Sequence, residues 1–188
     1  MVEIKSLYKK VDGKILIEIK LTSVIQLFNS FDPAPFHEKE LDTDAEHYIV
    51  DTVDDFPQKT QFKIIIYLPP DLAASDRAKT IAPAIQNHFR YKALVAERKF
   101  RSRFKYGRFT LLIGLSFLFI SLLVGQYVLS VAASIVTQVI ATALMVTGWA
   151  AMWEPVTVLL YELRPIRQRK NTYLKISKIE IEVLPIPA

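Results

Sequence analysis

From Phe109 to Trp153 the chain runs for 45 residues without an Asp, Glu, Lys, Arg or His. As one helix this stretch would be about 67 Å long, roughly twice the hydrocarbon thickness of a bilayer. It must therefore fold back on itself. The residues divide into two transmembrane helices, about Phe109–Gln126 and about Ala132–Trp153, each near the ~20 residues a span requires. The turn is expected in Gly125-Gln126-Tyr127-Val128-Leu129-Ser130, which offers one glycine, two polar groups and an interfacial tyrosine. A hairpin that dips in without crossing is the alternative.

Charge placement gives the orientation. Residues 1–89 hold 14 acids and 10 bases, residues 90–108 hold 8 bases and one acid, and residues 154–188 hold 6 bases and 4 acids. The net charge of +5 therefore arises beside the apolar stretch and does not suggest a nucleic-acid surface. Arg98, Lys99, Arg101, Arg103, Lys105 and Arg108 precede the first helix, Arg164, Arg167, Arg169 and Lys170 follow the second, and the connection between the helices has no base. Lys and Arg resist translocation and meet anionic headgroups on the cytoplasmic side, so both termini are expected in the cytoplasm. Trp149 and Trp153 fall at that same interface, where an indole suits the headgroup level. Charges scattered through Met1–Lys20 leave no apolar core for a signal peptide, and the first domain is expected to stay where it is made. The absence of cysteine excludes disulfides and thiolate chemistry.

Close helix packing in a bilayer depends on small residues. Gly114, Ser121 and Gly125 provide them on the first helix, and Ala133, Thr137 and Ala141 on the second. Gln126 and Gln138 are the only amides in the stretch; each needs a hydrogen-bond partner, either the other amide or headgroup water.

Around this hairpin the expected fold is α+β: a cytoplasmic domain over 1–89, a basic membrane-proximal helix over 90–108, the hairpin over 109–153, and an interfacial helix with a C-terminal strand over 154–188. Val2–Lys10 and Lys14–Leu21 read as a β-hairpin about Val11-Asp12-Gly13, because Asp-Gly favours a turn with positive φ. A short helix capped by Thr22 or Ser23 follows. Asp42 or Thr43 then caps a helix whose apolar face is Ala45, Tyr48, Ile49, Val53 and Phe56. Phe62–Leu68 is the clearest strand. Helical pattern resumes near Ser75 or Thr80 and continues to the hairpin, with Pro83 in a first turn or at a kink. Pro155 starts a helix with Val156, Leu159, Leu160 and Leu163 on its apolar side. Lys175–Leu184 alternates as a strand; if it rejoins the first sheet, the hairpin is an insertion into one domain.

Catalytic signatures are sparse. His47 and Asp51, four apart on one helix face, with His37 or Asp44 from the preceding loop, make the best metal set, but they lack the spacing of an EF-hand or of a zinc-binding HExxH helix. The acids Glu38, Glu40, Asp42, Asp44 and Asp51 read instead as helix capping and a protein-contact surface. His88, beside Phe89, reads as a structural or interfacial contact. No glycine-rich phosphate loop or nucleophile elbow occurs.

Two stretches carry a resemblance. Leu27-Phe28-Asn29-Ser30-Phe31-Asp32-Pro33-Ala34-Pro35-Phe36 with Asp44-Ala45-Glu46-His47-Tyr48-Ile49-Val50, and Trp153-Glu154-Pro155 through Leu160-Tyr161 and Arg164-Pro165-Ile166-Arg167, resemble a family of small uncharacterised bacterial membrane proteins with two transmembrane helices. The resemblance implies an inner-membrane location and supplies no catalytic residues. The expected function is a non-enzymatic, cofactor-free scaffold or accessory protein whose partners are the lipid bilayer and a protein or a second copy, with neither nucleic acid nor a small-molecule ligand. The rivals are a metal-dependent hydrolase at the membrane interface and an anionic-lipid-binding module.

Overall fold

A computed structural model describes residues 8–28, 40–132 and 134–187. It is α+β, with a four-stranded sheet in the order β1-β2-β3-β4 and two helices long and apolar enough to cross a membrane. The strands are β1 (Lys10–Val11), β2 (Lys14–Lys20), β3 (Phe62–Leu68) and β4 (Glu180–Pro185). Asp12 and Gly13 turn β1 into β2 with φ of 50° and 78°, as the Asp-Gly pair demands. The arm expected before Tyr8 lies outside the described residues. β2 pairs in parallel with β3, and β3 with β4. A parallel neighbour needs a crossover. Between β2 and β3 this contains a 3₁₀ turn, Val24–Leu27, capped by Ser23, and helix α1, Thr43–Asp54, capped by Asp42.

By contact, the chain divides into one unit of Met1–Val95 with Arg169–Ala188 and another of Ala96–Gln168. β4 thus returns to the N-terminal sheet. The strand is shorter than its sequence pattern suggests, because Leu163–Ile176 is helical (α6) and only Glu180–Pro185 pairs.

In the first unit, Ile17, Ile64, Ile66 and Leu68 of the sheet are buried with Ile49, Val50 and Val53 of α1, with Ile81, Ile85 and Phe89, and with Ile176. The buried face of α1 is turned from the expected one: Tyr48 is exposed, while Glu46, Val50 and Thr52 point inward. On the opposite sheet face, Leu16 and Ile65 are shielded by a charge ladder. Lys14 lies 2.7 Å from Glu180, and Lys63 bridges Glu180 and Glu182 at 3.2 and 2.7 Å. The stems of these lysines cover apolar surface while their heads stay in water.

After α2 (Pro70–Ala73), one helix, α3, runs from Asp76 to Val131. Pro83 lies inside it on an exposed face, where the carbonyl left without an N–H partner can meet solvent. α4 spans Ile135–Ala151, α5 Trp153–Thr157, and a π-turn over Val158–Glu162 leads into α6. Pro155 falls in the first turn of α5, where its missing N–H goes unmissed, but Val156 and Leu160 are exposed and Pro155, Val158 and Leu163 are buried.

The expected turn at Gly125–Ser130 is helical. α3 continues to Val131 and α4 begins at Ile135, after Ser134, whose hydroxyl accepts from Thr137 N–H while the Thr137 hydroxyl accepts from Ser134 N–H. Gly125 is a contact residue, not a breaker: a Cβ there would lie 3.6 Å from Ala141 Cα.

α3 and the helices after the reversal face each other in one antiparallel register, Gly125 against Ala141, Leu118 against Gly148, Gly114 against Ala151 and Gly107 against Leu159. Gly107 and Gly148 are both tight: a Cβ would lie 2.9 Å from Leu159 Cδ2 at Gly107, and at Gly148 2.9 Å from Leu118 Cδ1 and 3.2 Å from both Leu118 Cα and Ser121 Cβ. Gly148→Leu is expected to destabilise the hairpin by about 1–3 kcal/mol through overpacking. Trp149 and Trp153 lie beside it, so denaturant unfolding followed by tryptophan fluorescence measures the loss; an unchanged midpoint would refute this packing.

Candidate functional site

A buried polar cluster joins α1 to α3. Glu46 sits one turn into α1, on the inward face with Ile49 and Val53; His88 and Lys92 are one turn apart on α3. The Leu41 N–H donates to His88 Nδ1 at 3.2 Å, which assigns the imidazole proton to Nε2, and Nε2 lies 3.0 Å from Glu46 Oε2. Lys92 Nζ reaches the same oxygen at 3.0 Å. The hydrogen bond from His88 is the main influence holding the Glu46 carboxyl down to about 2, against the opposing effect of burial and with further help from Lys92. Both imidazole nitrogens are engaged and the ring side chain is only 2% exposed, so His88 is not placed to take a proton from a substrate. The cluster fixes where Leu41, α1 and α3 meet.

The remaining acids of this region face outward. Asp42 caps α1, its carboxylate accepting from Asp44 N–H at 3.0 Å, and Asp44, His47 and Asp51 are exposed. Glu40 is exposed; His37 and Glu38 lie outside the described residues. Among the described residues no group of three or more His, Asp or Glu side chains converges on a metal position. Asp54 accepts from the Thr172 hydroxyl at 2.7 Å, with Arg169 at 3.9 Å, tying α1 to α6. Nearby, Lys175 Nζ lies 4.6 Å from the centre of the Phe62 ring without a hydrogen-bond acceptor, and burial pushes its pKa down.

In the second unit Gly114, Ser121, Gly125 and Ala141 lie in the helix contact, whereas Thr137 serves the reversal and Ala133 lies outside the described residues. Gly107 and Gly148 are contact residues that sequence reasoning missed; Gly148 breaks the four-residue spacing of Ala133, Thr137 and Ala141, and Gly107 lies among the bases before the apolar stretch. Gln126 and Gln138 line a common cleft of about 320 Å³ with Ser121, Gly125 and Thr142, yet no hydrogen bond joins them. Trp149 and Trp153 are exposed. Of the basic residues, Arg101 bonds Glu97 at 2.8 Å and Arg103 bonds Glu162 at 2.7 Å. Arg98, Lys99, Lys105, Arg108, Arg164 and Arg167 are exposed, and none forms an ion pair among the described residues.

Compared with protein-family models, curated proteins and solved structures, the chain matches none.

Proposed function

We propose that this chain is a two-pass inner-membrane protein with both termini in the cytoplasm, acting without catalysis as a scaffold or accessory subunit that presents its sheet-bearing unit to a protein partner. The membrane reading is supported by the apolar surface of the hairpin: Leu112, Phe119, Ile120, Ile135 and Val136 are each more than half exposed, which water does not favour and lipid does. The observation that carries the partner reading is the outer face of α1. There Asp44, Asp51 and Asp55 are exposed and form no ion pair among the described residues, although Lys and Arg are plentiful elsewhere in the unit. Exposed carboxylates without a direct ion pair suit a partner surface rich in Lys or Arg, Asp51 meeting Arg169 only at longer range.

Crosslinking in native membranes followed by mass spectrometry tests this. A reproducible partner should be captured by the wild type and lost from an Asp44→Lys/Asp51→Lys variant; Asp42 is left intact because it caps the helix. Capture of no protein, including a second copy, would sink the scaffold reading.

Topology is tested separately, and the cysteine-free sequence makes it simple. A membrane-impermeant maleimide should label Ala132→Cys in intact cells and Lys178→Cys only after permeabilisation. The reverse pattern would overturn the orientation.

A further inference from the structure

The net charge of the protein is confined to one of its units. Ala96–Gln168 holds eight Lys and Arg against three Asp and Glu, a surplus equal to the whole net charge of +5, and the remainder of the chain balances. Each of the three acids of this unit has a partner within it: Glu97 pairs with Arg101, Glu154 accepts from the Tyr106 hydroxyl at 3.3 Å, and Glu162 pairs with Arg103. Arg98, Lys99, Lys105, Arg108, Arg164 and Arg167 are left exposed without a carboxylate among the described residues.

These cations are ordered along the helix pair. The Arg103–Glu162 bridge continues the register set by Gly107 and Leu159 and brings Arg167 level with Arg98 and Lys99. Measured down α3 from Phe109, Arg108 lies about 1.5 Å and Lys105 about 6 Å away, while Arg98 and Lys99 lie about 15 Å away. A headgroup layer is about 5–7 Å thick on each side of the hydrocarbon. Arg108 is held over the Phe104 ring with its centre 5.8 Å away, so its guanidinium is oriented beside an aromatic surface.

We infer that this collar is a binding surface for anionic phospholipid headgroups, with Lys105 and Arg108 contacting lipid phosphates and Arg98, Lys99, Arg164 and Arg167 acting at longer range through the surface potential. The inference rests on the membrane reading above. It goes beyond that reading in giving the helix pair a lipid preference, where a topology signal alone needs none. Lysine and arginine near an anionic bilayer each strengthen association about fivefold.

The test is reconstitution of the full chain into vesicles of equal parts phosphatidylcholine and phosphatidylglycerol, detergent extraction, and native mass spectrometry of the retained lipid. Phosphatidylglycerol should be enriched severalfold on the wild type. Lys105→Gln/Arg108→Gln should weaken its retention by up to about thirty-fold, at fivefold per cation, while Arg98→Gln/Lys99→Gln should change it by less than about threefold, being farther than a Debye length of about 8 Å. Equal retention of both lipids, or enrichment that survives the inner pair of substitutions, overturns the inference while leaving membrane insertion intact. Equal loss from both pairs overturns the assignment of phosphate contact to Lys105 and Arg108. A chain that washes off the vesicles at alkaline pH overturns the membrane reading and this inference together.

Discussion

Glu46→Ala should lower the stability of the sheet-bearing unit by about 3 kcal/mol, through loss of the charge-assisted hydrogen bond to a buried imidazole together with the ion pair to Lys92. The substitution leaves the His88 Nε2–H without an acceptor in a site where the ring is 2% exposed, and it leaves Lys92 facing no carboxylate there. The same interaction sets a pH dependence. The Glu46 carboxyl moves from its ordinary 4.5 to about 2 on folding, chiefly through the hydrogen bond from His88. A depressed folded value means that the stabilisation is complete above about pH 4.5 and is lost as the pH falls towards 2; a shift of this size is worth about 3 kcal/mol. Amide hydrogen exchange of peptides covering Thr43–Asp54 reads the effect where it occurs, whereas tryptophan fluorescence reports the hairpin. Protection of α1 should fall between pH 5 and pH 3 in the wild type and lack that step in Glu46→Ala. Wild-type protection in the variant at pH 7 would refute the role of the cluster.

The location of Glu46 shows where sequence reasoning stops. Phe62–Leu68 is β-branched and ends at prolines, so local chemistry identifies β3; Asp12-Gly13 and Asp42 are likewise local signals, and the structure bears all three out. A carboxylate within a run of acids carries no local sign that it faces inward, and its partner His88 is 42 residues away. The interhelical turn failed for a related reason. Gly125 looks like a breaker in sequence but lies within a helix and packs against Ala141, a contact that exists only once both helices are formed. The local signal for the reversal was present nine residues later, in the reciprocal bonding of Ser134 and Thr137. β4 was legible by its alternation, but its parallel pairing with β3 depends on a crossover containing the whole of Ala96–Gln168, and no spacing rule supplies that. The exposed collar was legible as a cluster of bases; which of them find carboxylates was not.

That crossover leads to the second large effect. Residues 1–95 expressed alone should fail to fold, and the same residues joined by a flexible linker to 169–188 should fold. The C-terminal piece contributes Tyr173, Ile176 and Ile179, all buried, to the core of a unit it reaches from the far end of the chain. At roughly 1.5–3 kcal/mol for each buried apolar side chain, the three are worth about 6 kcal/mol, comparable with the whole stability of a small domain. β4 also covers the outer edge of β3 from Lys63 to Leu68, and without it the backbone groups beside the buried Ile64 and Ile66 are left open to pairing between chains. Aggregation of the shorter fragment is therefore expected, with poor amide dispersion in NMR spectra of whatever stays soluble. The Lys63–Glu180 and Lys63–Glu182 bridges are half-exposed and contribute little, so replacing both glutamates with glutamine in the linked protein should leave it folded. A well-dispersed, monomeric spectrum from 1–95 alone would show that the strand and the end of α6 dock onto a finished domain; failure of the linked form would show that the unit depends on the hairpin itself.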